Sequence, residues 1–200
     1  MDGQWKQSHV YFHGYQPAIR RTGSFDQYQF TRPELARILQ NWDEVADWRV
    51  MSPMKSSRNQ GFHPTAIRRL ALSAPIREFL ARDRGSATER RVLYHGIGRD
   101  EIGGQALARG GRDRVESYDP YHPNPHVRAL PQGPFDEVHS HYTLNVVEPG
   151  AGRQIVQELH NWLKDGGLAV ITVRRDLVPT PQIRPERRRR SPSGSRSKGK

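Results

Sequence analysis

The chain has 200 residues, 34% of them hydrophobic, with 18 Gly and 15 Pro. That is enough for one domain with a real core and long irregular segments around it. It has no cysteine, which excludes disulfides, thiolate zinc sites and cysteine nucleophiles. The net charge is +11, but eight Lys/Arg and one Glu fall between Arg184 and Lys200, which leaves +4 to residues 1–183.

Residues 1–31 are aromatic and polar without a clear period, and the opening stretch MDGQWKQSHVYFHGY has no apolar signal core. No apolar run nears the roughly 18 residues of a membrane span, so no membrane association and a cytoplasmic location are expected. Thr31-Arg32-Pro33-Glu34 reads as a helix start: Thr31 can cap, Pro33 suits the first turn, and Glu34 favours the positive helix end. Leu35, Ile38, Leu39, Trp42 and Val45 follow at helical spacing, and the helix is expected to end near Trp48. Residues 1–63 are thus expected to form a helical N-terminal extension, closing in a Ser/Asn/Gly-rich linker from Ser52 to His63. Pro64 to Arg82 reads as a second helical region. Pro75 should break it, with Ser73 as the cap of a new helix from Pro75 to Ala81.

The pattern then changes to strand–helix alternation. Val92 to Tyr94 is a strand, and Glu101 to Ala108 a helix ended by Gly110-Gly111. Val115 to Tyr118 is a second strand, and the five-proline stretch Pro120 to Pro134 a loop. Phe135 to Tyr142 is a third strand, Arg153 to Lys164 a helix, and Leu168 to Val173 a buried strand after the turn Asp165-Gly166-Gly167. Such alternation predicts an α/β fold, an open and mainly parallel sheet with flanking helices. The strand C-terminal ends, and with them a ligand, then lie along one edge. Residues 179–200 are expected to be a disordered basic tail. Its run Arg187, Arg188, Arg189, Arg190 suits attraction to a phosphate backbone without sequence reading, and equally a solubilising end.

Gly96-Ile97-Gly98 lies between the first strand and its helix, and Asp119 follows 21 residues after Gly98 at the end of the second strand. Glycines there let a backbone approach a cofactor, and an acid at that distance can bind ribose hydroxyls. The same residues also suit an ordinary strand–helix turn and an Asp-Pro turn starter. Ser140, His141, Tyr142 and Asn145 cluster at the end of the third strand, and His139 and His141 share one of its faces. With His122 and His126 these have no metal-motif spacing and no carboxylate at a fixed offset, so no metal is expected.

VLYHGIGRDEIGG, SYDPYHP, FDEVHSHYTLNVVEP and LKDGGLAVITVRRD together resemble the successive motifs of class I S-adenosylmethionine-dependent methyltransferases. The likeness is to those of bacteria and phages, some associated with DNA modification. The lead-in TAIRRLALSAP is similar to the one common in that group, and the resemblance spans about residues 64–176. It implies a Rossmann-like domain over 64–178 that lacks the last two of seven strands and leaves the fifth as an exposed edge, which a homodimer can cover. It implies S-adenosyl-L-methionine as cofactor, with Tyr94, Gly96, Gly98, Asp119, Pro120 and Ser140 around it. Tyr142, Asn145 and Asp176 are then the candidates for the methyl-transfer pocket. His139 and His141 join Asp176 as candidate bases, and Arg174 and Arg175 stand at the far side of the pocket. Tyr94 stands where such families carry an acid near the methionine ammonium, and Asp100 where they carry a third glycine. No N-P-P-Y motif is present. The implied activity is methyl transfer to nucleic acid or within a nucleic-acid modification system. The alternative is a catalytically inactive relative that binds nucleic acid through its basic tail.

Overall fold

The computed structural model describes residues 5–21, 24–54, 66–83 and 86–175. The N-terminal part forms β1 (Trp5–Phe12), β2 (Ile19–Arg21), β3 (Phe25–Thr31), α1 (Arg32–Gln40), α2 (Trp42–Val45) and β4 (Ala46–Met54). Then come α3 (Ala74–Arg82), β5 (Arg91–His95), α4 (Glu101–Leu107), β6 (Arg114–Tyr118) and α5 (Pro125–Arg128). The last described elements are β7 (Phe135–His141), a 3-10 turn (Thr143–Val146), α6 (Pro149–Trp162) and β8 (Leu163–Arg174).

Six strands form one mixed sheet in the order β2-β3-β8-β7-β5-β6, and β1 and β4 form a separate antiparallel ribbon. The neighbours β6, β5, β7 and β8 are all parallel, as the alternating pattern predicts. Their C-terminal ends therefore share one edge.

The N-terminal expectation is corrected. The described residues among 1–63 form four strands and two short helices, not one helix, and two of those strands belong to the main sheet. β3 runs antiparallel along β8, from Phe25 opposite Arg174 to Thr31 opposite Leu168, and β2 adds beyond it. The hairpin stands on the edge of β8 that is expected, from the sequence, to be exposed. β8 is therefore an interior strand, its backbone groups are paired on both sides, and the physical reason for a dimer over that edge is gone.

The remaining differences are local. Thr31 does start α1, where the Glu34 carboxylate accepts from the Thr31 backbone N and Oγ1, each at 2.8 Å. The helix stops at Gln40, and Ala46–Met54, read as helix end and linker, is strand β4. Residues 66–73 are not helical; only α3 forms, next to the predicted Pro75 break. Residues 55–65 lie outside the described ones, as do 176–200, which contain Asp176 and Arg187 to Arg190.

The two faces of the sheet differ. On one, α1 and α6 cover Tyr28, Phe30, Leu93, Val138, Ala169 and Ile171 in an apolar core. On the other, α3 and α4 bring Ile76 and Leu107 to Val92 and Tyr94. That second face also carries a row of buried polar side chains. Gln27 Nε2 on β3 donates to Thr172 Oγ1 on β8 at 3.1 Å, and Thr172 Oγ1 lies 2.8 Å from His141 Nδ1 on β7. Gln27 Nε2 also donates to Pro75 O in the first turn of α3 at 3.2 Å.

At the edge where β5 and β6 begin, Arg90 and Arg109 are sunk among three carboxylates. Arg109 donates to Asp83 at 2.6 Å, Asp113 at 2.7 Å and Glu137 at 2.8 Å. Arg90 reaches the same three, with Glu137 at 2.6 Å. His139 Nε2 joins at 3.1 Å from Glu137, with the Phe79 ring edge-on to it at 4.7 Å. No helix among the described residues is long and apolar enough to cross a membrane.

Candidate functional site

A cleft of about 380 Å³ opens at the C-terminal ends of β5, β6 and β7, beneath residues 66–73, within the size range of small-molecule and cofactor sites. Eight sequence candidates line it: Tyr94, Gly96, Gly98, Asp119, Pro120, His141, Tyr142 and Asn145. Arg174 lines it as well.

The glycine turn is required by the backbone. Gly96 and Gly98 have φ of +66° and +53°, which side chains rarely tolerate. A Cβ on Gly96 would lie 2.4 Å from Thr143 Oγ1, and one on Gly98 would lie 3.3 Å from Ala66 Cβ. The close approach at these glycines is thus made by the protein's own atoms. Asp119 ties the turn to the end of β6, its Oδ2 accepting from Gly98 N and its Oδ1 from Tyr121 N, both at 2.8 Å. Each carboxylate oxygen keeps a further lone pair toward the cleft.

The two positions that depart from the family pattern meet each other. Tyr94 Oη donates to Asp100 Oδ2 at 2.9 Å, and Asp100 Oδ1 accepts from Gly103 N at the start of α4 at 3.0 Å. A Cβ on Gly103 would lie 2.7 Å from Asp100 Oδ2, so Asp100 and Gly103 fit as a pair. Arg69 Nε stands 3.5 Å from the same oxygen. Burial, then the adjacent Asp100 charge, holds the Tyr94 phenol well above its ordinary range.

The strand-end cluster divides. Tyr142 leaves β7 in the left-handed region, φ 64°, a conformation that costs a non-glycine residue energy and is common at functional sites. Its ring centre lies 5.6 Å from the Arg69 guanidinium and 5.9 Å from that of Arg174, within cation–π range. Asn145 turns its Oδ1 to Arg174 N at 2.8 Å, so it braces the end of β8. Ser140 is buried off the cleft wall, 3.3 Å from His95 Nδ1. His139 belongs to the ion cluster below, and Arg175 lies 3.6 Å from the buried Asp26. His141 and His95 both line the cleft, and burial holds the His141 pKa well below the ordinary value, which favours the neutral ring.

Ser73, Thr143, Arg69 and Glu158 on the wall had no functional role in the sequence. Ser73 was expected to cap; it sits at the N-cap of α3, but its hydroxyl makes no capping bond. Ser73 Oγ, Thr143 Oγ1 and His141 Nε2 are buried polar atoms without a hydrogen-bond partner, and all three residues line the cleft. Arg69 and Glu158 join them there. Nothing in a linear pattern distinguishes an unpaired hydroxyl from a capping one. Among the described residues, no three His, Asp or Glu side chains gather as a metal group.

The fold and cleft define an α/β protein with a mostly parallel mixed sheet and a site at its strand ends. Against family models, curated proteins and solved structures, the chain gives no match in any of the three comparisons.

Proposed function

We propose that this protein is an S-adenosylmethionine-dependent methyltransferase acting on nucleic acid or in a nucleic-acid modification system. One observation carries the reading: Gly98 and Asp119 are joined at 2.8 Å on the wall of a cleft at the ends of adjacent parallel strands. That is the position at which open α/β sheets take nucleotide-type ligands. Asp100, Asp119 and Glu158 line the cleft together with Arg69, Arg99 and Arg174, so its formal charge is balanced and the acids serve as local partners for a cationic sulfonium. At the glycines themselves the Cβ directions are taken by Thr143 and Ala66, so a cofactor would meet the backbone of the turn from its other side. In this reading Asp119 holds the ribose hydroxyls and the Asp100 carboxylate, carried on the Tyr94 hydroxyl, faces the amino-acid end. When bound, the cofactor supplies an already reactive methyl group, so the protein's task is alignment. Tyr142 stands at the strand end as the positioning surface for the acceptor. Its strained backbone favours that role over a packing one.

Calorimetric titration with S-adenosylmethionine is expected to give a binding heat that Asp119→Ala abolishes, with Asp119→Asn as the variant that keeps one backbone-capping oxygen. No heat from the folded wild type at roughly millimolar cofactor would sink the reading. It would favour the inactive relative that holds nucleic acid through Arg187 to Arg190. That relative predicts steeply salt-dependent binding, lost on removing residues 184–200.

A further inference from the structure

We infer that the cleft contains a subsite for an anionic oxygen group, a phosphate or carboxylate, built from the Ser73 hydroxyl and the His141 ring nitrogen beside the Arg69 and Arg174 guanidiniums. The argument begins with His141. Its Nδ1 lies 2.8 Å from Thr172 Oγ1, and that oxygen already accepts from Gln27 Nε2. If Thr172 donates its own proton to Nδ1, the Thr172 hydroxyl both accepts and donates and Nδ1 is satisfied, while Gln27 Oε1 stays without a partner. The ring proton then sits on Nε2 (an assignment from the hydrogen-bond chain). Nε2 is a donor, it is buried, and it has no partner. His141 is 7% exposed and Ser73 only 4%, and both line the cleft. An unpaired buried donor costs about 1–3 kcal/mol, so a ligand acceptor is the natural partner for each.

The two orphans line the same cleft and are tied to one polar chain. The same Gln27 nitrogen donates to Pro75 O, two residues after Ser73, and to the Thr172 hydroxyl that holds His141. Ser73 also stands at the start of nine-residue α3, where the helix end favours negative charge. The charge nearby points the same way. Arg69 is shared with Asp100, but Arg174 has no carboxylate partner among the described residues. A histidine N–H and two guanidiniums can only donate, so the ligand must present acceptors, and a guanidinium with no carboxylate partner among the described residues favours a negative one. The third orphan, Thr143 Oγ1, lies against Gly96 and belongs to the other half of the cleft. The inference deepens the methyltransferase reading by giving the acceptor an acid group, yet the anion contacts stand without any cofactor.

The test uses the full chain labelled with ¹⁵N-histidine and no cofactor. Inorganic phosphate and, separately, acetate are titrated in while the His141 ring nitrogens are followed by NMR. A saturable shift of Nε2 with at least one probe is expected, with a dissociation constant on the order of millimolar. Ser73→Ala and Arg174→Gln are each expected to weaken it about tenfold, the scale of one charge-assisted hydrogen bond. Phosphate alone, acetate alone or both would identify the geometry preferred and support the subsite. No saturable shift up to roughly 100 mM of either anion would overturn it, and so would a shift that Ser73→Ala leaves unchanged. Ser73→Ala decides the matter alone if Arg174→Gln does not fold. Anion binding without cofactor binding would remove the methyltransferase reading and keep the subsite. Cofactor binding without anion binding would do the reverse.

Discussion

Where β5 and β6 begin, Arg90 and Arg109 share Asp83, Asp113 and Glu137. Where the same strands end, Ser73 Oγ, His141 Nε2 and Thr143 Oγ1 have no partner. Both edges bury polar groups, but at the first the guanidiniums and carboxylates are paired with one another, with His139 Nδ1 beside them unpartnered, whereas at the second three cleft-lining atoms have no partner. A satisfied buried network holds a structure in one arrangement, whereas an unsatisfied one costs stability and persists where something else completes it. The first edge is therefore read as structural and the second as the place for a ligand.

The largest expected effect tests the structural edge. Arg109→Met leaves Asp113, whose side chain is fully buried, with Arg90 as its remaining cationic partner and Glu137 with Arg90 and His139. Removing one partner of such a cluster costs about 3–5 kcal/mol, read as a fall in the urea midpoint at unchanged slope. A loss below about 1 kcal/mol would erase the contrast between the edges.

The next effect sharpens the contrast through pH. Burial lowers the pKa of His95 from 6.5 to about 4, and it lowers those of His139 and His141 as well. A base whose folded pKa is depressed is protonated first in the unfolded chain. Its contribution is fully present above about pH 6.5 and is lost as pH falls toward the folded value. Stability is thus expected to decline from about pH 6.5 to about pH 4, the His95 window. Glu137, whose folded pKa is also lowered, adds a further loss below its ordinary value. Urea unfolding at about pH 7.5 and about pH 5 measures the first part, and equal midpoints would contradict it.

The smallest effect concerns Ser73. Because its hydroxyl makes no capping bond, Ser73→Ala is expected to change stability by less than about 0.5 kcal/mol, or to raise it. A loss of about 1 kcal/mol, the usual worth of an N-cap, would make Ser73 a structural residue and blur the distinction between the edges.

Much of the parallel half was legible. β5, β6, β7 and β8 fall on predicted strands, and the glycine turn and Asp119 meet on the cleft, because short-range patterns specify these units. The N-terminal strands were hidden for a physical reason. β3 is buried on both faces between β2 and β8, so Phe25 to Tyr28 are all buried and show no alternation. Its buried polar residues are explained only by distant partners: Gln27 by Thr172 and Pro75, Asp26 by Arg20 and Arg175. Asp100 looked like a missing glycine, but three-dimensional proximity makes it the partner of Tyr94 and Gly103. Ser140 and Asn145 were placed at the site by their position along the chain. Strand pleat turned the first toward His95, and the turn after β7 turned the second toward β8.

By itself the sequence determined the alternation of strands and helices, the turn at Gly96 and Gly98, and the acid at the end of the next strand. Those follow from spacing, backbone freedom and apolar periodicity, which act over a few residues. Only the tertiary structure decided that an N-terminal hairpin closes the β8 edge. It alone decided that Arg90 and Arg109 are fully paired while Ser73 and His141 are not. Pairing of buried polar groups depends on residues brought together from remote parts of the chain, and no local pattern encodes it.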